Sequence, residues 1–244
     1  MFQEMFQPLS KHFDDGFGGV GDAFHRAAKH LLNTGGDQGA AKINGHLPIN
    51  YLLRHTIELY LKSMILTLHR GFQKLENETV STPEIEVGEK KPKVIFSVHA
   101  LDRLWADHIA RCIARKSDFT DLKMTDWSAA PTDLAGHIAT IAAADPMSAA
   151  FRYPVSKNTT LDHEKSSMKQ SDPAETLRNV AIGVQGKVIL AVVDDGNDDG
   201  EVADTYVLDD NPIPELRDAL LEAAGILEAA RTGISQEMSG ALST

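Results

Sequence analysis

Apolar side chains recur at steps of three and four residues from Pro48 to about Arg70, the most regular pattern in the chain. Side chains at this spacing share one face of an α-helix. Proline suits the first turn of a helix, and glycine commonly follows the last turn. The pattern therefore predicts a long helix that stops at Gly71. Its apolar stripe comprises Leu53, Ile57, Tyr60, Met64 and Leu68.

Weaker patterns of the same kind predict further helices. Ser97 is expected to cap one of them through its hydroxyl, and Asp145 followed by Pro146 is expected to open a short helix that ends at FRYP. Between the helices, the mixed-charge stretch EIEVGEKKPK predicts an exposed connector or a short irregular ribbon over residues 73–96. The predicted helices cover residues 22–33, 48–70, 97–116, 131–144 and 214–231, with the residues after 232 frayed.

Near the carboxyl terminus, two apolar segments predict strands. KVILAVV and EVADTYVL flank the turn-forming DDGNDDG, an arrangement typical of a β-hairpin. We therefore expect a single, mainly α domain over residues 1–244, in which a β-hairpin at about 186–209 is inserted before the C-terminal helix.

Composition narrows the classes of function. The formal net charge of -11 disfavours broad coating of nucleic acid or anionic lipid, although a local basic site stays compatible with it. Cys112 is the only cysteine, so the chain forms no internal disulfide and no cysteine-based zinc cluster, which favours a reducing, cytoplasmic setting. No apolar run reaches the ~18 residues that a membrane span needs, and we expect neither secretion nor a membrane anchor.

The predicted long helix carries charge within its most apolar part, YLLRHTIELYLK. Arg54, Glu58 and Lys62 follow one another at steps of four, and His55 lies three residues before Glu58, so the four side chains share one narrow stripe. Buried charges are costly unless they are paired. The stripe is therefore interpreted first as a salt-bridge ladder that aligns helices, and second as a ligand-binding or catalytic site.

Three stretches together resemble a known family. YLLRHTIELYLK, then SVHALDRLW, then DPMSAAFRYP are similar to the RHxxELxLK-type helix, the (K/S)xHxLxxL-type helix and the FRYP-type segment of HEPN-superfamily domains. The resemblance covers about residues 47–154. It implies an HEPN-like helical bundle, commonly a homodimer. The superfamily includes metal-independent RNA-cleaving toxins, phage-defence and RNA-processing factors, and noncatalytic relatives.

The ribonucleases of that superfamily share an Arg-x4-6-His motif, which the resemblance places on Arg103 and His108 of RLWADH. In such enzymes the pair meets at a dimer cleft, where it could act on a ribose 2'-hydroxyl by acid–base and electrostatic catalysis. Chance alone supplies about one such match in a chain of this composition. Residues five apart on a helix also point about 140° away from each other. A solvated arginine and histidine are the alternative interpretation.

Other residues of the signatures extend the charged stripe. His99 is the better candidate for a partner of Glu58 or Arg54, or it is a structurally fixed histidine near a helix start. Arg152 and Tyr153, in FRYP, could clamp a phosphate, but a tie to Glu58 is the favoured interpretation.

The acidic turn is similar to the first half of a calcium-binding loop at Asp195, Asn197 and Asp199. The position that needs a bidentate glutamate holds Tyr206, so an exposed hairpin turn is favoured. No phosphate-binding loop, HExxH, GxSxG or Rossmann glycine pattern is present, and we expect no cofactor and no metal site.

Two functional hypotheses follow from these patterns. The first is an HEPN-like binding or scaffold module, in an RNA-linked, phage-defence or toxin–antitoxin setting, with RNA or a cognate protein as partner. The second is a metal-independent endoribonuclease that uses Arg103 and His108, or another Arg/His pair assembled at a dimer cleft.

Overall fold

The structure is a computed structural model and describes residues 7–35, 43–88, 90–129, 131, 133–183, 188–191 and 204–243. These residues are mainly helical, which confirms the predicted fold class. The helices are α1 (Phe17–Asn33), α2 (His46–Leu75), α3 (Leu101–Ala114), α4 (Lys116–Asp121), α5 (Leu134–Ala144), α6 (Thr159–Glu164), α7 (Pro173–Ala181) and α8 (Pro214–Ala241). The strands are β1 (Glu84–Val87), β2 (Lys90–Val94), β3 (Met168–Ser171), β4 (Val188–Ala191) and β5 (Asp204–Leu208).

Helix α2 is the centre of the bundle. It packs against α1, α3 and α8, while α5 packs against α3 and α8. Every residue from Thr56 to Leu68 is buried. A helix with neighbours on so many sides buries nearly its whole circumference, so the charged stripe of α2 lies inside the bundle.

The long helices extend beyond their predicted ends. Helix α1 begins at Phe17 instead of residue 22, and α2 continues through Gly71 to Leu75. Gly71 meets a neighbouring helix: a Cβ built on it would lie 2.3 Å from the Sδ of Met238. The glycine therefore permits close packing of α2 on α8 and does not end α2.

The predicted fraying of the last residues is wrong. Helix α8 continues to Ala241, well past residue 231. Ile234 and Met238 are buried in the hydrophobic core. Burial of these side chains stabilises the last turns of the helix, since tertiary packing supplies most helical stability in proteins.

Helix α3 begins later than predicted. Ser97 belongs to a 3-10 helical turn over Ile95–Ser97, and its hydroxyl donates to the carbonyl of Val94 at 2.9 Å. Ala100 is the N-cap residue and provides no side-chain hydrogen bond. The prediction that Ser97 caps this helix is therefore wrong.

The short helix predicted after Asp145 is absent. The Asp145 Oδ1 atom accepts hydrogen bonds from the backbone N–H groups of Ala149 at 2.7 Å and Ala150 at 3.1 Å. These bonds close a turn, and the segment through FRYP stays without a helix. The preceding helix, α5, begins at Leu134, three residues later than predicted.

Two small antiparallel sheets accompany the bundle. Strands β1 and β2 pair with an irregular register between Ile85 and Val87, so the connector at 73–96 contains the predicted irregular ribbon. The predicted hairpin is also present as β4 and β5. Strand β3 adds to the free edge of β5 and makes a third strand, in the order β3-β5-β4, that the sequence did not predict.

The acidic turn with Asp195, Asn197 and Asp199 lies outside the described residues, so the calcium interpretation is not tested. Among the residues that the structure describes, no helix combines the length and apolar character needed to cross a bilayer.

Candidate functional site

The charged side chains of α2 form one buried network. The Glu58 carboxylate accepts from Arg54 Nη1 at 3.1 Å through one oxygen and from Lys62 Nζ at 2.9 Å through the other. The three side chains are 1%, 2% and 3% exposed for Arg54, Glu58 and Lys62, respectively. One turn of helix separates each from the next, which explains why the spacing by four brings them together.

Residues outside α2 provide the other contacts of Arg54 and Lys62. Arg54 Nη2 donates to the His99 carbonyl at 2.6 Å, and its Nε lies 3.8 Å from Asp145 Oδ2. Lys62 Nζ donates to the Phe96 carbonyl at 3.4 Å. Two cations thus face two carboxylates, and the network is close to electrically neutral.

Glu58 stays ionised within this network. Burial alone would raise its pKa, but Lys62 and Arg54 outweigh that effect and lower it below the usual value. The carboxylate is thus an acceptor for three neighbours and is not a proton donor at neutral pH.

His99 connects the network to solvent. Its Nδ1 lies 2.9 Å from Glu58 Oε1, while its side chain is 55% exposed. The sequence predicted His99 as a partner of Glu58 or Arg54, and the structure places it in contact with both, through its ring and its carbonyl. Among the members of the network, this imidazole is the group most accessible to a ligand.

A partly exposed group of side chains lies on α2 and on the FRYP segment, about one turn of helix from Arg54. The ring of Tyr51 stacks on His55 with centroids 6.0 Å apart, and the guanidinium of Arg152 lies 5.8 Å from the Tyr51 centroid. His55 also packs edge-on against Phe24 of α1 at 4.8 Å. We call Tyr51, His55 and Arg152 the aromatic–arginine surface.

The other residues that the sequence predicted for the network, namely His55, Arg152 and Tyr153, lie outside it. His55 makes no hydrogen bond to Glu58, and burial lowers its pKa. Arg152 does not reach Glu58 but lies on Tyr51. Tyr153 is 58% exposed and joins the fold through its carbonyl, which accepts from Lys165 Nζ at 2.9 Å.

Arg103 and His108 do not meet within the chain. Arg103 is 50% exposed and lies beside Asp102, with 3.6 Å between its Nε and Asp102 Oδ2. His108 is 2% exposed, and its Nε2 lies 3.7 Å from Cys112 Sγ. Burial lowers the pKa of His108 to about 4, so the ring is neutral and out of reach of a substrate.

The fold assembles another Arg/His contact that the sequence did not indicate. Arg111 Nη1 lies 3.2 Å from His69 Nδ1, and His69 Nε2 lies 2.9 Å from Ser81 Oγ. Arginine only donates, so Nδ1 accepts and Nε2 carries the proton. His69 therefore donates to Ser81 and cannot act as its base.

The same Arg111 guanidinium is held by Asp107. Burial, followed by Arg111 and Arg70, lowers the pKa of His69. No spacing pattern could indicate this contact, because the two residues lie on different helices 42 positions apart.

The described residues hold no group of three or more His, Cys, Asp and Glu side chains that could bind a metal ion. Comparisons of the chain with protein-family models, with curated proteins and with solved structures found no match.

Proposed function

We propose that this protein is a noncatalytic, HEPN-like helical binding module that acts as a homodimer in an RNA-linked setting such as phage defence or a toxin–antitoxin pair. The setting and the dimer come from the resemblance of RHTIELYLK, SVHALDRL and FRYP to the HEPN signatures. The geometry of the charged network supports the noncatalytic part.

Neutralisation of the two cations on α2, by Glu58 and by Asp145, is the observation that carries this proposal. Arg54 and Lys62 both donate to Glu58, and all three side chains are buried. An acid or base in catalysis must reach the proton that it transfers. Glu58 and the carbonyls of His99 and Phe96 accept the hydrogen bonds of these two cations, so the network suits the alignment of α2 with the segments that carry His99 and Arg152.

The aromatic–arginine surface supports RNA as the partner. Single-stranded RNA is bound through stacking of bases on aromatic rings and through cations near the backbone. Tyr51 and His55 provide partly exposed rings, and Arg152 provides an exposed cation beside them. This local site is compatible with the acidic net charge of the whole chain.

Binding of a short fluorescein-labelled single-stranded RNA, measured by fluorescence anisotropy in EDTA, tests the proposal. Tyr51→Ala should weaken binding about tenfold, since one stacked base contributes ~1–3 kcal/mol. Arg152→Ala should weaken it by a similar factor, because it removes a charge-assisted contact with the RNA backbone. Arg178→Ala, which also removes an exposed arginine, is the matched control and should bind as the unaltered chain does. Equal affinity of all four proteins, or no binding by the unaltered chain, would contradict the proposal.

The ribonuclease alternative has one observation in its favour, the contact between Arg111 and His69. Gel analysis of the same RNA after incubation separates it from binding. We expect the RNA to stay intact with the unaltered chain. If the unaltered chain cleaves the RNA, the exposed control His163→Ala should cleave it too. Loss of this cleavage in His69→Ala, His55→Ala or His108→Ala would establish an enzyme and overturn the noncatalytic proposal.

A further inference from the structure

The aromatic–arginine surface is one end of a longer row of rings along α2. At the other end, Phe96 is 45% exposed and stacks on Phe17 of α1, with ring centroids 5.7 Å apart and an interplanar angle of 17°. The Lys62 Nζ atom lies 5.8 Å from the centroid of the Phe17 ring and donates to the Phe96 carbonyl. The Phe17–Phe96 pair therefore lies at the Lys62 end of the charged stripe.

Helix α1 borders both ends of the row. Phe17 and Phe24 are two turns apart on α1, so they share one face of this helix. Phe24 packs on His55 at one end of the row, and Phe17 packs on Phe96 at the other. Both ends thus lie along the same seam between α1 and α2.

His99 lies between the two ends. Its Nδ1 contacts Glu58, which is about one turn from both His55 and Lys62 on α2. An ionised carboxylate only accepts hydrogen bonds, so Nδ1 carries a proton. The other ring nitrogen, Nε2, makes no hydrogen bond to a described residue, and the side chain is 55% exposed. Glu58 thus fixes the ring and leaves Nε2 for a ligand.

The charges beside the row are compatible with an anionic strand. Glu58 is paired within the charged network. Asp102, at the start of α3, has its Oδ2 atom 3.6 Å from Arg103 Nε. Arg152 is an exposed cation beside the Tyr51 ring, and no carboxylate among the described residues forms an ion pair with it. A strand along the row thus meets one available cation and carboxylates that already have partners.

The length of the row suits several nucleotides. Tyr51 and Lys62 mark its two ends, and they are about 16 Å apart along the helix at a rise of about 1.5 Å per residue. A stacked strand advances about 3.4 Å per nucleotide, so about five nucleotides cover this length. Fewer nucleotides cover it when the strand is stretched, but a dinucleotide occupies only one end.

We propose that the rings form one track for an extended single strand of RNA, from the aromatic–arginine surface through His99 to Phe96. The track presupposes the RNA binding proposed above and adds to it the length of the strand and two further contacts. One base stacks at Tyr51, and another stacks on the face of Phe96 that Phe17 leaves free. The imidazole of His99 contacts the strand between these two bases.

Fluorescence anisotropy with fluorescein-labelled oligouridylates, in EDTA, tests the Phe96 end of the track. The unaltered chain should bind an octanucleotide more tightly than a dinucleotide, because only the octanucleotide reaches both ends. Phe96→Leu keeps an apolar contact with Phe17 but removes the ring, and it should reduce this advantage about tenfold. Ile113→Ala, which removes a side chain that is 60% exposed on α3, is the control and should keep the full advantage.

Two variants of His99 test the middle of the track. His99→Ala should weaken binding of the octanucleotide about tenfold, because it removes a ring that contacts the strand. His99→Gln retains an N–H donor for Glu58 but has no ring, so it should weaken binding by a similar factor while it preserves the charged network. His163→Ala, at an exposed histidine of α6, should bind the octanucleotide as the unaltered chain does.

The outcomes separate the track from the RNA binding on which it depends. If Tyr51→Ala weakens binding of the octanucleotide but Phe96→Leu and both His99 variants do not, the track is overturned and the proposed function stands. If the unaltered chain does not bind the octanucleotide, both are overturned. An advantage of the octanucleotide that is unchanged in Phe96→Leu would also overturn the track.

Discussion

At the scale of single residues, Glu58 is the acceptor that makes the buried charges of α2 tolerable. It receives hydrogen bonds from Arg54 and Lys62 and a contact from His99. Removal of charges from water is expensive, and attraction in the interior offsets this cost only when the geometry and the hydrogen bonds are good. The network therefore contributes to alignment of the bundle without being a large net source of stability.

Glu58→Gln should lower the free energy of unfolding by about 3–5 kcal/mol, because it leaves Arg54 and Lys62 as buried cations that face a neutral amide. Guanidinium denaturation followed by circular dichroism measures the change. Glu222→Gln, at an exposed position of α8, should change the free energy by no more than about 0.5 kcal/mol.

A quadruple variant separates pairing from packing. Arg54→Met, Glu58→Leu, Lys62→Met and Asp145→Asn in one chain remove all four charges of the network together and should be less destabilising than Glu58→Gln alone. If Glu58→Gln is as stable as the unaltered chain, the burial of Arg54 and Lys62 does not depend on the charge of Glu58.

At the scale of elements, two helices approach closely where a glycine leaves space for an aromatic ring. A Cβ built on Gly21 of α1 would lie 2.8 Å from both Cδ1 and Cε1 of Tyr60 on α2. The Tyr60 ring has little freedom to move, because its hydroxyl donates to Asp22 and Arg231 lies over its face. Gly21 therefore sets the separation of α1 and α2.

Gly21→Ala should lower the free energy of unfolding by about 1–3 kcal/mol through overpacking, despite the better helix propensity of alanine. Urea denaturation measures it. Gly225→Ala is the matched control, since a Cβ at this helical position meets nothing within 4 Å, and it should stabilise the chain by about 0.5–1 kcal/mol. A stabilising Gly21→Ala would mean that α1 shifts away from Tyr60 without cost.

At the scale of the whole molecule, several histidines are buried or half-buried in the bundle and stay neutral. Burial is the largest cause that lowers the pKa of His25, His46, His55 and His108. The unfolded chain binds protons at these histidines at a higher pH than the folded chain does. The folded state is therefore favoured most above the ordinary histidine pKa, and this advantage is lost as the pH falls.

The free energy of unfolding should fall as the pH decreases from about 7 to about 4.5. His108 alone should contribute up to about 3 kcal/mol to this fall once the pH has passed from its unfolded pKa to its folded pKa. Guanidinium denaturation at a series of pH values measures the slope. His108→Leu should make the slope shallower, whereas His163→Leu, at an exposed histidine, should leave it nearly unchanged. Identical slopes in the unaltered chain and His108→Leu would show that His108 takes up no additional proton on unfolding.

The sequence was sufficient to predict the features that depend on residues close together along the chain. Apolar spacing indicated α2, the helical class and the β4–β5 hairpin, and the spacing by four between Arg54, Glu58 and Lys62 indicated their mutual contact. These features depend on the 3.6-residue and two-residue periods of the backbone, so a linear pattern contains them.

Contacts between distant segments determined the rest. Gly71 is inside α2 because Met238 packs there, Asp145 closes a turn instead of starting a helix, and β3 joins β5. Side-chain burial separated Arg103 from His108, and helix packing brought His69 to Arg111. Local sequence patterns do not indicate which surfaces contact each other in the folded chain. The burial and pairing of side chains depend on those contacts.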